Sequence, residues 1–428
     1  MNLNDIYILV FNALLYTGTF FFFQKSRKKF GIGSVILLLY SLVAVVGIDY
    51  YFHPYATFEE VRLFPFIYLY VVLMMVAYPI LRVNESKIIN IQEPNKLLID
   101  SFSWLVVIVT VIATIPLLTD FNETIGKVLS GASFVQDAYF DKQDLIDERG
   151  DGKFSIVGVL STIFVNFSPM LFFYYISREK VNKYLTWGLG IAIILNLFIQ
   201  ISQSARGDLV TIALNIIFLY FFFLKSLNEQ KRKFFRKIII LFISLLGIPF
   251  IIITLGRFGD KDSSQIDITN YFLERYVSES FLNFNSYGLN PGGCREGDRT
   301  ATFFKQSLGF ETADNYNKRL DKYYYMNMDE SIFSTYVGEF TLDYGPYITF
   351  AFFLLMSVFF RSKLKKIDET CTFSQYILFY FLFNICVGIF LFPYSDVNGN
   401  LRIIMFVILY LIFQYDYFNQ RKEINSEN

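Results

Sequence analysis

Three arginines and two carboxylates carry the chemistry that this chain's residue types and spacing allow. Arg206 lies in Ser204-Ala-Arg206-Gly207-Asp208 and Arg257 in Gly256-Arg257-Phe258-Gly259-Asp260. Arg402 follows Pro393-Tyr-Ser-Asp396-Val-Asn398-Gly-Asn400. A guanidinium is a permanent cation whose planar fork matches two phosphate oxygens at once. Arg206 and Arg402 are also expected at helix N-termini, where free N–H groups and the dipole favour anions. Together the three form a candidate phosphate site; the alternative for each is an arginine snorkelling to a membrane interface. Glu339 and Asp343 stand four apart in Tyr336-Val-Gly338-Glu339-Phe340-Thr-Leu-Asp343-Tyr344-Gly345-Pro346, so they share a helical face. Carboxylates at membrane depth are functional candidates by default; the alternative is that they pair with arginines and lock helices together. Arg275, Tyr276 and Tyr344 are candidates for glycan or interface contact, although Arg275, like Arg295 and Arg299, also reads as an ordinary loop charge.

Other chemistries find little footing. There is one histidine, His53, and three cysteines, Cys294, Cys371 and Cys386, with no Cys/His pair at ligand spacing. No metal site, cofactor or internal disulfide is therefore expected. Asp260-Lys-Asp262 resembles the acidic element that holds a metal–nucleotide in some glycosyltransferases, and reads here as loop charge.

The elements that must position these residues are membrane helices. The composition is 54% hydrophobic and 19% aromatic, with 51 Phe and 30 Tyr, and only 18% charged. A water-soluble chain of this length would carry more charge. About 11 apolar stretches reach the roughly 20 residues that a bilayer requires: Ile6–Phe23, Ile32–Phe52, Leu63–Leu81, Leu98–Leu118, Phe154–Ile176, Leu185–Ile201, Leu209–Leu224, Ile238–Leu255, Phe340–Phe360, Phe373–Phe392 and Leu401–Phe418. The fold class is all-α, a polytopic membrane protein forming one domain over 1–428. Barrel strands would be half as long and would alternate.

Every second connection is basic, as in Lys25-Ser-Arg27-Lys28-Lys29, Arg178/Lys180/Lys183 and Arg361/Lys363/Lys365/Lys366. The positive-inside rule places these in the cytoplasm. It leaves the N-terminus outside, the C-terminus inside, and two long loops outside: an acidic one at 120–152, and 256–344 between the eighth and ninth spans. The first stretch lacks a basic n-region and a cleavage site, and reads as a retained helix. Within the large loop, Tyr271, Phe272, Arg275, Tyr276, Phe281, Leu282 and Phe284 recur at near-helical spacing, which predicts an amphipathic helix lying at the interface. Asn290-Pro-Gly-Gly293 predicts a turn, and Tyr323-Tyr-Tyr325 adds aromatic surface. The apolar run before Arg361 begins only at Ile348, about 13 residues or roughly 20 Å of helix, too short to span. The ninth helix must therefore recruit residues upstream, carrying Asp343 and Glu339 to membrane depth, with Gly345-Pro346 permitting a kink.

Ser204-Ala-Arg206-Gly207, Gly256-Arg257 and Gly338-Glu339-Phe340…Asp343-Tyr344-Gly345, set among these spans, resemble the bacterial oligosaccharide repeat-unit polymerases, the O-antigen or capsule polymerase family often called Wzy-type. The resemblance covers nearly the whole chain as architecture. It implies an enzyme of the cytoplasmic (inner) membrane that builds lipopolysaccharide O-antigen or capsule at the outer face. Glycan on a polyprenyl pyrophosphate would be transferred to the next lipid-linked unit, inverting and without metal. Arg206, Arg257 and Arg402 would bind the pyrophosphate, and Glu339 or Asp343 would be the general base. Partners implied are the lipid-linked oligosaccharide, membrane lipid, a chain-length regulator and a flippase; no nucleic acid is expected. Two rival readings remain, of which only the first shares this architecture. An O-antigen ligase needs a histidine in its large loop, and His53 lies in a different connection. A lipid-linked oligosaccharide flippase would carry internal repeats and broken helices.

Overall fold

In a computed structural model of the chain, the described residues are 3–119, 156–178, 182–202, 206–241, 244, 265–328, 334–365, 367, 369–390 and 392–427. The first apolar stretches form uninterrupted helices: α1 (Leu3–Arg27), α2 (Ile32–Tyr51), α3 (Leu63–Arg82) and α4 (Lys96–Thr119). Their ends are held by charge. Arg27, in the last turn of α1, donates to the carbonyls of Leu81 and Val83 at the end of α3, where a cation suits both the orphan carbonyls and the dipole. The Glu85 carboxylate accepts from the Ile32 N–H at 2.9 Å, capping the start of α2.

Further along come α5 (Ile156–Phe164), α6 (Phe167–Ser177), α7 (Lys183–Ser202), α8 (Arg206–Phe223) and α9 (Gln265–Asn283). Two short helices follow, α10 (Thr302–Ser307) and α11 (Tyr316–Lys322). The last three are α12 (Tyr336–Leu364), α13 (Phe373–Val387) and α14 (Asp396–Glu427). Asn90–Ile91 (β1) and Thr370–Cys371 (β2) pair in parallel. Among the described residues seven helices are long and apolar enough to cross a membrane: α1, α2, α3, α4, α7, α12 and α14; α8 and α13 are apolar but shorter. The chain is an all-α protein with the helices of a membrane-embedded one.

Among the described residues the expected run of eleven continuous spans meets two differences. Phe154–Ile176 is broken into α5 and α6 at Val165 and Asn166. Pro169 explains it: proline has no N–H for the Val165 carbonyl and its ring clashes with that carbonyl. The Ser168 hydroxyl donates to Val165 O instead, at 3.3 Å. The Phe373–Phe392 stretch is helical only to Val387, because the Gly388 carbonyl turns to accept the Tyr336 N–H at 3.1 Å. The Ile238–Leu255 stretch lies mostly outside the described residues, as do the whole 120–152 loop and Asp260-Lys-Asp262.

The chain divides into two units. Unit 1 comprises Met1–Glu85, Ile266–Lys366 and Leu378–Ile403; unit 2 comprises Ser86–Gln265, Ile367–Ile377 and Ile404–Asn428. In unit 1, α12 lies along α3, with Ser357 Oγ donating to Met75 O at 2.6 Å and Tyr68 OH to Pro346 O at 2.5 Å. The second half of α9 and the π-helical turn Phe284–Gly288 that continues it do not lie on a surface: Phe281, Leu282 and Phe284 are buried, and Phe284 stacks on Tyr68. Its polar residues are accommodated by local partners. Asn285 exchanges hydrogen bonds with the Arg62 backbone at 2.9 and 2.6 Å, and Ser278 Oγ bonds Glu274 O. Unit 2 has an aromatic interior in which Phe167 meets Phe406 and Phe173 meets Phe235. Among the described residues its buried polar groups are neutral, as where Asn196 Nδ2 donates to Ser168 Oγ at 3.0 Å.

Candidate functional site

The site grows from a defect in α12. Thr335 caps the helix, its Oγ1 accepting from the Gly338 N–H at 2.9 Å. Two turns later Gly345 adopts φ +77° and ψ 167° inside the helix, a conformation that only glycine reaches at low cost. Pro346 follows and removes the N–H that would have served the Leu342 carbonyl. A buried carbonyl needs a partner, and the Arg295 N–H supplies it at 2.8 Å. The Gly345-Pro346 break thus draws the connection between α9 and α12 onto the first two turns of α12.

Arg295 brings its side chain with it. Its guanidinium is wholly buried and meets both carboxylates: Nη2 lies 2.8 Å from Glu339 Oε2 and Nε 2.8 Å from Asp343 Oδ1. Nη2 also reaches the Glu339 carbonyl at 3.1 Å. Arg299 adds a second cation, its Nε 3.2 Å from Glu339 Oε2, and its side chain keeps 14% exposure. The second oxygen of Asp343 accepts from the Thr300 N–H and hydroxyl, both at 2.7 Å. Two arginines and two carboxylates therefore share one buried cluster, with Tyr344 OH 3.3 Å from Thr300 Oγ1. Gly297 (φ +84°) turns the backbone beside it, where a Cβ would lie 2.6 Å from Tyr344 OH.

A third buried carboxylate organises the rest of the connection. Asp298 accepts from Lys305, from Lys322 Nζ at 2.7 Å, from Tyr323 OH at 2.7 Å and from the Ala313 N–H at 3.0 Å. Burial pushes its carboxyl up, but the four donors outweigh burial and hold it at about 2; donors to a carboxylate stabilise its charged form. The Tyr323 phenol is pushed up by burial and by its bond to Asp298. The Cys294 thiol is pushed up by burial and then by Asp343 and Glu296. The start of α14 is stitched to the same segment. Asp396 N–H donates to Arg299 O at 2.7 Å, Asn400 Nδ2 to Thr300 O at 2.9 Å, and Phe303 N–H to Asn400 Oδ1 at 3.1 Å. Arg319 reaches Asp396 Oδ1 at 3.4 Å.

Of the residues singled out in the sequence, Glu339 and Asp343 are brought together, four apart on one face, and both are buried. Arg295 and Arg299, read in the sequence as loop charges, are the arginines that meet them. Arg402 lies in the second turn of α14 rather than at its N-terminus, because the helix already begins at Asp396; its Nη1 donates to Pro393 O at 3.3 Å. Arg206 opens α8, its side chain lying outside the description, and Arg257 lies outside the described residues altogether. Arg275 pairs with Glu279 at 2.9 Å one turn along α9, and Tyr276 is half-buried beside it. The missed signal is the run Cys294-Arg-Glu-Gly-Asp-Arg-Thr300, which alternates charges about a glycine; a solvated loop has no need of such a pattern. Among the described residues no group of His, Cys, Asp and Glu could hold a metal. The chain matches no family model, no curated protein and no solved structure.

Proposed function

We propose that this protein is a polymerase that joins polyprenyl-pyrophosphate-linked oligosaccharide units at the outer face of a bacterial cytoplasmic membrane. The observation that carries this reading is the buried cluster of Arg295, Arg299, Glu339 and Asp343 on the first two turns of a helix apolar enough to span. Ionisable residues are rare at such depth and mark working sites.

The two carboxylates take different parts. Both oxygens of Asp343 are claimed, by Arg295 and Thr300, so it holds the connection to α12. Glu339 shares one oxygen between two guanidinium groups, one of them the partly exposed Arg299. In the reaction, the acceptor hydroxyl oxygen bonds to the anomeric carbon of the donor glycan and the bond from that carbon to the pyrophosphate oxygen breaks. The hydroxyl proton passes to Glu339, and the pyrophosphate leaves with the negative charge. Arg299 turns to that charge and stabilises it as it develops. Glu339 gives up one of its two cations as the proton arrives.

A flippase for the same lipid-linked oligosaccharide is a second reading, favoured by the breaks at Val165–Asn166 and at Gly345, since transporters bind at broken helices. Reconstitution separates the two. Vesicles holding purified protein and lipid-linked oligosaccharide in one leaflet should accumulate longer glycans. Translocation of unjoined units with no growth would overturn the polymerase reading. Arg206→Ala and Arg257→Ala are each expected to leave folded protein in the membrane and to abolish long chains.

A further inference from the structure

The short helix α10 is turned inside out. Its polar side chains are engaged by the protein: Lys305 reaches the Asp298 carboxylate, Thr302 Oγ1 donates to Asp298 O at 2.7 Å, and Gln306 Nε2 donates to Thr312 Oγ1 at 3.0 Å. Its apolar side chains face out. Phe304 is 41% exposed, Leu308 76% and Phe310 61%. Phe304 and Leu308 stand four apart and share a helical face. The turn beyond them is fixed. Gly309, at φ +79°, closes the helix, with Gly309 N–H donating to Gln306 O and Phe310 N–H to Lys305 O, both at 3.0 Å, the bonds of a glycine helix cap. Single exposed apolar residues are ordinary. Large neighbouring ones over a bonded polar underside mark a contact surface.

Two sets of bonds within unit 1 fix the height of this helix. α12 is long and apolar enough to cross a membrane, and the roughly 20 residues that a hydrocarbon core requires, counted back from Arg361, end at Leu342. There the Arg295 N–H meets the Leu342 carbonyl at 2.8 Å and the Thr300 N–H meets Asp343 Oδ2 at 2.7 Å. On the other side, the Phe303 N–H bonds Asn400 Oδ1 at 3.1 Å, and Asn400 borders the apolar run that opens at Leu401. Both anchors stand at the edge of the hydrocarbon, and α10 leaves from between them. We propose that Phe304, Leu308 and Phe310 dip into the lipid leaflet at that edge, with phospholipid acyl chains covering their outward face. An apolar face lying at this boundary enters it by about 5–10 Å, and aromatic rings favour that level. Insertion also holds Arg299, just before α10, at headgroup height, where the phosphate of a lipid-linked substrate lies. The inference rests on the membrane-embedded fold and is independent of the polymerase reading.

Fluorescence quenching tests this in the full chain, reconstituted into phosphatidylcholine vesicles. The two native tryptophans are removed as Trp104→Phe and Trp187→Phe, and Leu308→Trp, Phe310→Trp or Gln306→Trp supplies a single reporter. Acyl chains brominated near their carbonyl end should remove most of the emission of Leu308→Trp and Phe310→Trp. Iodide, present on both sides of the membrane, should leave these two bright. Gln306→Trp, on the polar side of α10, should show the reverse order. Because an indole itself favours the interface, the Phe310→Trp reporter is also read in combination with Phe304→Ser and Leu308→Ser, where bromine quenching should fall. Thermal unfolding of each variant serves as the folding control. Iodide quenching of Leu308→Trp and Phe310→Trp without an effect of bromine overturns the proposal. So does unchanged bromine quenching in the combined variant, since the reporter has then inserted by itself. Shielding of both reporters from both quenchers overturns it too, because a protein surface then covers the face in place of lipid.

Discussion

The α5–α6 stretch and α12 are each broken by a proline, and the two breaks are repaired in different ways. In unit 2 the carbonyl orphaned by Pro169 is met by a neighbour on the same chain segment, the Ser168 hydroxyl. In unit 1 the carbonyl orphaned by Pro346 is met by Arg295, some fifty positions earlier in the chain. The first repair is local and neutral. The second recruits a whole connection and brings a charge with it. The interiors follow suit: the buried charged residues among those described are Asp5, Glu279, Arg295, Asp298, Arg319, Glu339 and Asp343, and all belong to unit 1. Burying an ion is expensive unless it is paired and bonded. Among the described residues unit 2 buries no charged side chain, so helix packing alone does not demand one, and the concentration of buried charge in unit 1 singles out a candidate site.

The contrast can be broken most forcefully at Arg295. Arg295→Met leaves Glu339 and Asp343 facing each other without their shared cation, and should destabilise the protein by about 3–5 kcal/mol, read as unfolding in detergent. Adding Glu339→Gln and Asp343→Asn should recover a good part of that loss. A single-variant cost below about 1 kcal/mol would mean that the cluster is solvated. Asp298 comes next. Its folded carboxyl is held at about 2 against an ordinary 3.8, a difference of about 2 kcal/mol. Because the folded value is the lower, this stabilisation is complete above pH about 4 and is lost as pH falls towards about 2. Asp298→Asn should remove that part of the acid dependence, measured as unfolding midpoint against pH. Gly345→Ala should cost about 1–2 kcal/mol through its positive φ, since a Cβ there has room, the nearest atom being Cys294 Sγ at 3.8 Å. The smallest effect belongs to unit 2: Asn196→Ala removes one neutral bond to Ser168 and should cost about 1 kcal/mol.

Much of the fold was legible because membrane helices are written in long apolar runs, and α1 to α4 begin and end within a few residues of the stretches expected. The pairing of Glu339 with Asp343 was legible for a similar reason: helical period and the shortness of the run after Ile348 both place them at depth. What escaped was non-local. The charged run about Gly297 sets Arg295 apart from Arg275 in the chain, but its burial follows only from the Leu342 carbonyl that Pro346 leaves unserved. The break at Asn166 was hidden because Phe154–Ile176 is apolar throughout, so hydropathy does not report the missing N–H of Pro169. The second half of α9 was misjudged as surface because its serines, Asn285 and Glu279 look solvent-facing until their partners are known. Arg402 was expected at a helix end, and α14 begins at Asp396 instead, about a turn and a half before the apolar run; the Arg206 side chain and Arg257 lie outside the described residues.

The central claim is that Glu339 does chemistry while its neighbour Asp343 holds the fold. Joining of lipid-linked oligosaccharides by reconstituted Glu339→Gln and Asp343→Asn, each corrected for its folded fraction by thermal unfolding, tests it directly. Glu339→Gln should remain folded and lose about 10²–10⁴-fold in rate, whereas Asp343→Asn should lose stability and keep its rate per folded molecule within about tenfold. Glu339→Gln joining units at the wild-type rate would contradict the account.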